Sequence, residues 1–128
     1  MALFFKNERD RDFFNSCEKI RRENNEYIST QDIAHKAVLS SAKSFYITCY
    51  RCYNIILSIK NGNKLSSKSC AKLALFKEIK ERYLNISKEK PELKDFDIAC
   101  EIVNQEAPRF YITKTRAEKL YYNLLKVM

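Results

Sequence analysis

Two cysteines three residues apart, Cys49-Tyr50-Arg51-Cys52, have the spacing of a thiol redox motif and of half a zinc site. A helix start and a neighbouring arginine would favour the thiolate that redox chemistry requires. The surrounding pattern is not βαβ, however, and no second Cys-x-x-Cys completes a zinc site. One buried and one partly exposed small side chain is the expectation. His35 is the sole imidazole. Catalysis through it would need a Cys–His pairing across the fold, so a surface or half-buried helix position is expected instead. Asp32 and Asp97 recur at two helix openings, where carboxylates complement the helix dipole. With one Gly and one His, the chain has neither a Gly-rich phosphate loop nor a His-based metal cage. The expectation is a non-enzymatic protein without cofactor or metal.

Binding chemistry is better supplied. Lys and Arg number 24 against 16 Asp and Glu, a net charge of +8. Residues 1–30 and 91–128 are each neutral, so residues 31–90 hold the whole excess, with 12 basic and 4 acidic side chains. Lys60, Lys64, Lys68 and Lys72 follow one another at spacings of four around a glycine turn. A polyanion meeting such a row releases its counterions. Arg51 would lie on the outer face of its helix, and Arg109, Lys114 and Arg116 are its counterparts later in the chain. These eight residues are the expected nucleic-acid contacts, the lysines touching phosphates rather than bases. The competing expectation is a protein-interaction or assembly module.

These side chains need elements to hold them, and an internal repeat supplies the plan. Residues 32–51 match residues 97–116 at an offset of 65, with 10 of the 20 positions identical. The matched residues are Asp32-Ile33-Ala34, Val38, Ala42, Phe45-Tyr46-Ile47-Thr48 and Arg51, recurring as Asp97-Ile98-Ala99, Val103, Ala107, Phe110-Tyr111-Ile112-Thr113 and Arg116. Upstream, an offset of about 62 aligns Phe14 with Phe76 and Cys17 with Ile79. Each half therefore reads as one duplicated supersecondary unit.

Composition and period give the elements. A single Gly and two Pro cannot supply the turns of a β-sandwich or barrel. Apolar residues at helical spacing predict helices near 8–25, 30–40, 48–60, 68–88, 94–105 and 113–127. Ser29 or Thr30, Thr48 and Thr113 are the expected N-caps. Asn61-Gly62-Asn63 stops the third helix. Phe45, Phe110, Ile47 and Ile112 are expected in the core, with Tyr46 and Tyr111 pointing the other way. The two Phe-Tyr-Ile-Thr steps would pair as a small ribbon. The second and third helices of each half would make a connection like a long helix-turn-helix.

The fold class that follows is all-α, with six helices in two tandem three-helix repeats packed with approximate two-fold pseudo-symmetry. Residues 1–128 form one domain built from repeats of about 8–62 and 68–127. No apolar run approaches the roughly 20 residues of a membrane span, and the N-terminus lacks the apolar run of a signal peptide. Five cysteines, an odd number, fit reduced thiols. A soluble cytoplasmic protein is expected, with DNA, RNA or a protein as partner and no membrane.

The segment Ala107-Pro108-Arg109-Phe110-Tyr111-Ile112-Thr113, with Arg116-Ala117, carries a resemblance. It resembles a family of small, mostly uncharacterised bacterial and phage proteins bearing an Ala-Pro-Arg-Phe-Tyr-(Ile/Val)-(Ser/Thr) step, with a degenerate copy in the first half. The first copy here, Ala42-Lys43-Ser44-Phe45-Tyr46-Ile47-Thr48, lacks the Pro and the Arg. The resemblance implies a duplicated helical fold and a phage or mobile-element context. It implies no activity.

Overall fold

The computed structural model is all-helical and describes residues 2–24, 27–62 and 69–127, with side chains from Asn7 onward. Six helices follow in order: α1 Ala2–Glu23, α2 Thr30–Val38, α3 Cys49–Lys60, α4 Cys70–Glu89, α5 Asp95–Val103 and α6 Lys114–Val127. Five of the six start within two residues of the positions read from periodicity. The exception is α1, which begins at Ala2. Four starts are capped as their residue types dictate. The side-chain oxygens of Ser29, Thr48, Ser69 and Thr113 accept from the amides of Asp32, Arg51, Lys72 and Arg116. At the end of α3, Asn61 is the C-cap and Gly62 takes φ 72°, the left-handed conformation that costs glycine nothing.

The chain divides into two compact units, Met1–Tyr46 with Glu106–Met128, and Ile47–Gln105. The first holds α1, α2 and α6, and the second holds α3, α4 and α5. These units are not the two sequence copies. The third helix of the first copy packs with α4 and α5, and the third helix of the second copy packs with α1 and α2. Consequently α2 and α3 belong to different units, as do α5 and α6. Each connection expected to resemble a long helix-turn-helix therefore runs from one unit to the other.

In the unit of α1, α2 and α6, each helix turns an i, i+4 face inward. Phe13 and Cys17, Ile33 with Ala34, Ala37 and Val38, and Ala117 and Tyr121 are all buried. The alanines of α2 and α6 leave room for rings. Phe13 meets Phe110 edge-on at 5.6 Å, and Phe14 lies 5.9 Å from Tyr121. In place of a ribbon there is one antiparallel bridge, Ala42 with Ala107, closed by two 2.9 Å hydrogen bonds. The amide of Phe110 donates to the Val38 carbonyl at 2.9 Å. The Phe-Tyr steps meet through their rings: Phe45 stacks on Tyr111 at 5.8 Å, and Tyr46 stacks on Phe110 at 6.0 Å. Phe45, Phe110 and Ile112 are buried as expected, but Ile47 is only half-buried. Strand alternation fails at Tyr46, which takes φ 57° and turns the chain.

In the unit of α3, α4 and α5, the buried residues are Cys52, Ile55 and Ile56, then Ala71, Leu75 and Ile79, then Ile98, Ala99 and Ile102. Leu73 is 40% exposed. The i, i+4, i+8 stripe of Ala71, Leu75 and Ile79 sets the inner face instead. Asp95 ties the three helices of this unit, accepting from Lys60 Nζ at 2.8 Å and from the Tyr83 hydroxyl at 3.0 Å. Among the described residues, no helix is long and apolar enough to cross a membrane.

Candidate functional site

Six of the eight expected contact residues fall among the described residues. Lys64 and Lys68 lie outside the described residues. Arg51, Lys60 and Lys72 fall in the unit of α3, α4 and α5, whereas Arg109, Lys114 and Arg116 fall in the other. Lys60 is engaged by Asp95, which holds its ammonium above the ordinary value through a hydrogen bond and opposite charge. The half-buried Arg109 sets its guanidinium 5.7 Å over the Tyr111 ring and donates from Nε to the Phe110 carbonyl at 3.1 Å. Both side chains thus do structural work. Arg51 and Lys72 are exposed, as are Lys114 and Arg116. The charge excess, central in sequence, divides evenly in space. Residues 47–105 hold 11 basic and 7 acidic side chains and the rest hold 13 and 9, a net +4 for each unit.

The unit of α3, α4 and α5 presents a feature that charge counting missed. Tyr50, in the first turn of α3, is 70% exposed, and Phe96, in the first turn of α5, is 40% exposed. Their rings meet edge-on at 5.8 Å, and Tyr53 meets Phe96 at 5.6 Å. Three aromatic rings are therefore grouped at the helix starts, one of them mostly in water. Burying such rings would stabilise them by about 1.5–3 kcal/mol each, so leaving them outside forgoes that gain. Arg51 follows Tyr50 on α3 and Lys94 precedes α5, both exposed. On α4, Lys72, Lys77 and Lys80 are exposed. None of these five cations makes an ion pair among the described residues.

Compared with known proteins, the chain matches no family model, no curated protein and no solved structure.

The remaining candidate chemistry resolves into separate pieces. Cys52 is buried and Cys49 half-buried, as the apolar register of α3 implied. Burial pushes the Cys52 thiol up to about 12. Among the described residues, no group of three His, Cys, Asp or Glu is arranged to hold a metal ion. His35 is half-buried on α2 and its Nε2 pairs with Glu118 Oε1 of α6. Asp32 and Asp97 stand exposed in the first turns of α2 and α5.

Sequence reasoning also missed Asp12, which is 5% exposed. Its Oδ2 accepts from the Tyr46 hydroxyl at 2.7 Å, while Oδ1 has no hydrogen bond among the described residues and lies 3.5 Å from Arg11 Nε. Burial, and then this bond to a carboxylate, raise the Tyr46 hydroxyl pKa well above the ordinary phenol value. Nothing in the local sequence announced the pair, because its members are 34 residues apart. The aromatic group was legible only in part. Tyr50 and Tyr53 are three residues apart in the sequence, but Phe96 joins them through packing of α5 on α3.

Proposed function

We propose that this protein is a non-enzymatic nucleic-acid-binding module that takes single strands on the unit of α3, α4 and α5. The observation that carries this reading is the exposed Tyr50–Phe96 pair on a unit whose exposed cations include Arg51, Lys72, Lys77, Lys80 and Lys94. Aromatic faces stack bases without regard to sequence, and ammonium and guanidinium groups neutralise the backbone. Each stacked base contributes about 1–3 kcal/mol. The test is fluorescence anisotropy of a labelled oligonucleotide and its duplex over a salt series. Affinity should fall steeply with salt and be higher for the single strand. Absence of binding at low salt overturns the proposal, and equal affinity for the duplex removes the stacking component.

We further infer that the molecule is a fused, exchanged duplication with approximate two-fold pseudo-symmetry. Three observations support this. The bridge Ala42–Ala107 joins residues that match at the offset of 65. The two ring stacks are reciprocal, each pairing the Phe of one copy with the Tyr of the other. Burial also recurs: Phe13 and Leu75, Cys17 and Ile79, Ala34 and Ala99, and Cys52 and Ala117 are buried at matched positions. A pseudo-dimer whose third helices are exchanged produces this pattern. The same duplication is what the resemblance to the small bacterial and phage proteins implies.

A further inference from the structure

The residues that stop α3 carry chemistry of their own, which neither the repeat nor the binding reading uses. Asn61 is followed by the chain's single glycine, Gly62. An asparagine side-chain amide is thermally labile, because the backbone nitrogen of the next residue can attack its carbonyl carbon and close a five-membered imide. A side chain on that next residue hinders the attack, and glycine has none. Asn61 and Gly62 are both exposed. A Cβ placed on Gly62 would meet nothing within 4 Å among the described residues, so the turn is open at that point.

The end of α5 supplies an internal control. Asn61 caps the C-terminus of α3 with φ −78° and ψ 0°, and Asn104 caps that of α5 with φ −87° and ψ −2°. Both are exposed. In each case the following amide donates to a carbonyl three residues back, Gly62 to Ile59 at 3.1 Å and Gln105 to Ile102 at 3.0 Å. The two caps differ in the residue that follows. Gln105 carries a side chain, and its Oε1 accepts from Arg82 Nη1 at 2.8 Å, which ties it to α4. Gly62 has no side chain to be tied.

We propose that Asn61 is a site of spontaneous deamidation and isomerisation, gated by fraying of the last turn of α3. Ring closure needs the Asn61 side chain and the Gly62 nitrogen on the same side of the Cα–C bond. The chain must therefore rotate away from ψ 0°, and the bond from Gly62 to Ile59 must break. Helix ends open in this way at little cost. The Gly62 nitrogen then gives its proton to solvent and bonds to Asn61 Cγ, the Cγ–Nδ2 bond breaks, and ammonia leaves. Water opens the imide. Cleavage of the new bond at Cγ gives aspartate, and cleavage at the main-chain carbonyl gives isoaspartate, with the chain running through the side-chain carbon. The balance is one amide and one water giving one carboxylate and one ammonium ion, with no change of oxidation state. The new negative charge stands at the C-terminal end of α3, where the helix dipole disfavours it. It also stands next to Lys60, whose ammonium Asp95 holds.

The test uses the full chain, folded, in mildly alkaline buffer at body temperature. Samples taken over days are digested at mildly acidic pH and mapped by mass spectrometry, with electron-transfer fragmentation to tell isoaspartate from aspartate. Asn61 should be lost progressively to a mixture containing isoaspartate, while Asn104 in the same samples keeps its amide. Isoelectric focusing should show an acidic species growing at the same rate. Gly62→Ala should lose most of the conversion at Asn61. An intact Asn61 overturns the proposal, as does equal conversion of Asn104. Aspartate formed without isoaspartate also overturns it, since direct hydrolysis then replaces the imide. Both asparagines are read in one wild-type sample, so a variant that folds poorly does not obscure the outcome.

Discussion

At the scale of single residues, the tightest constraint is the buried carboxylate of Asp12. Among the described residues, its one hydrogen-bond donor is the hydroxyl of Tyr46, a residue held at φ 57° with its amide donating to Ser44 Oγ. A left-handed conformation in a bulky residue is strained and persists only where surrounding contacts demand it. Here the demand comes from the Asp12 bond and the stack on Phe110. Tyr46→Phe keeps the ring and removes the donor. It should destabilise the fold by about 1–3 kcal/mol, the cost of leaving a buried polar group unpaired, as read from urea denaturation. Burial shifts other groups in a way that bears on pH. Cys17 and Cys52 are both pushed up to about 12 from 9.0. Their unfolded thiols lose protons above pH 9 while the folded ones keep theirs. Stability is therefore fully present below pH 9 and falls as pH rises from 9 towards 12. The loss is about 1.4 kcal/mol per pH unit for each group. An alkaline denaturation series should show this decline, and replacing Cys52 with Ala should lessen its slope.

At the scale of elements, helices were legible because their signals are local. Ser29, Thr48 and Thr113 cap where their hydroxyls reach the amide three residues on, and Gly62 stops α3. The start of α1 was not legible, since Ala2-Leu3-Phe4-Phe5 carries no cap residue and no polar face. The candidate site was read from charge alone, without its shape. Lys60 and Arg109 looked like free cations, yet Asp95 and Tyr111 occupy them, and both partners come from packing rather than neighbouring sequence. One element departs from the capping rule. The α5 N-cap is Lys94, which has the required extended backbone, φ −76° and ψ 155°, but no side-chain bond to the helix. Its matched residue in the first copy is Ser29, which does cap. Lys94→Ser should therefore stabilise the protein by about 0.5–1 kcal/mol, measured as a raised denaturation midpoint. An unchanged midpoint would show that this turn is already satisfied by solvent.

At the scale of the whole molecule, the two sequence copies do not correspond to the two compact units. Periodicity reveals which helices exist, but not that α3 packs with α4 and α5 while α6 packs with α1 and α2. Which unit a helix joins is invisible to local pattern, because the pattern sets a helix's inner face and not its partner. It has a consequence for fragments. A chain of residues 1–62 contains α3 without its packing partners, and a chain of residues 63–128 contains α6 without its own. Separately, each fragment should lose most of its helical circular dichroism, and mixing them should restore it. Fragments that are each fully helical and monomeric would contradict the exchanged packing. The functional claim rests on the same unit of α3, α4 and α5, which carries both exposed rings and exposed cations. Its most direct test compares two variants for binding to a labelled single-stranded oligonucleotide across a salt series. Tyr50→Ala with Phe96→Ala should lower affinity at least about tenfold and leave the salt slope unchanged. Lys72→Ala, Lys77→Ala and Lys80→Ala together should flatten the slope. Wild-type affinity in the aromatic variant, with its fold intact by circular dichroism, would contradict the account.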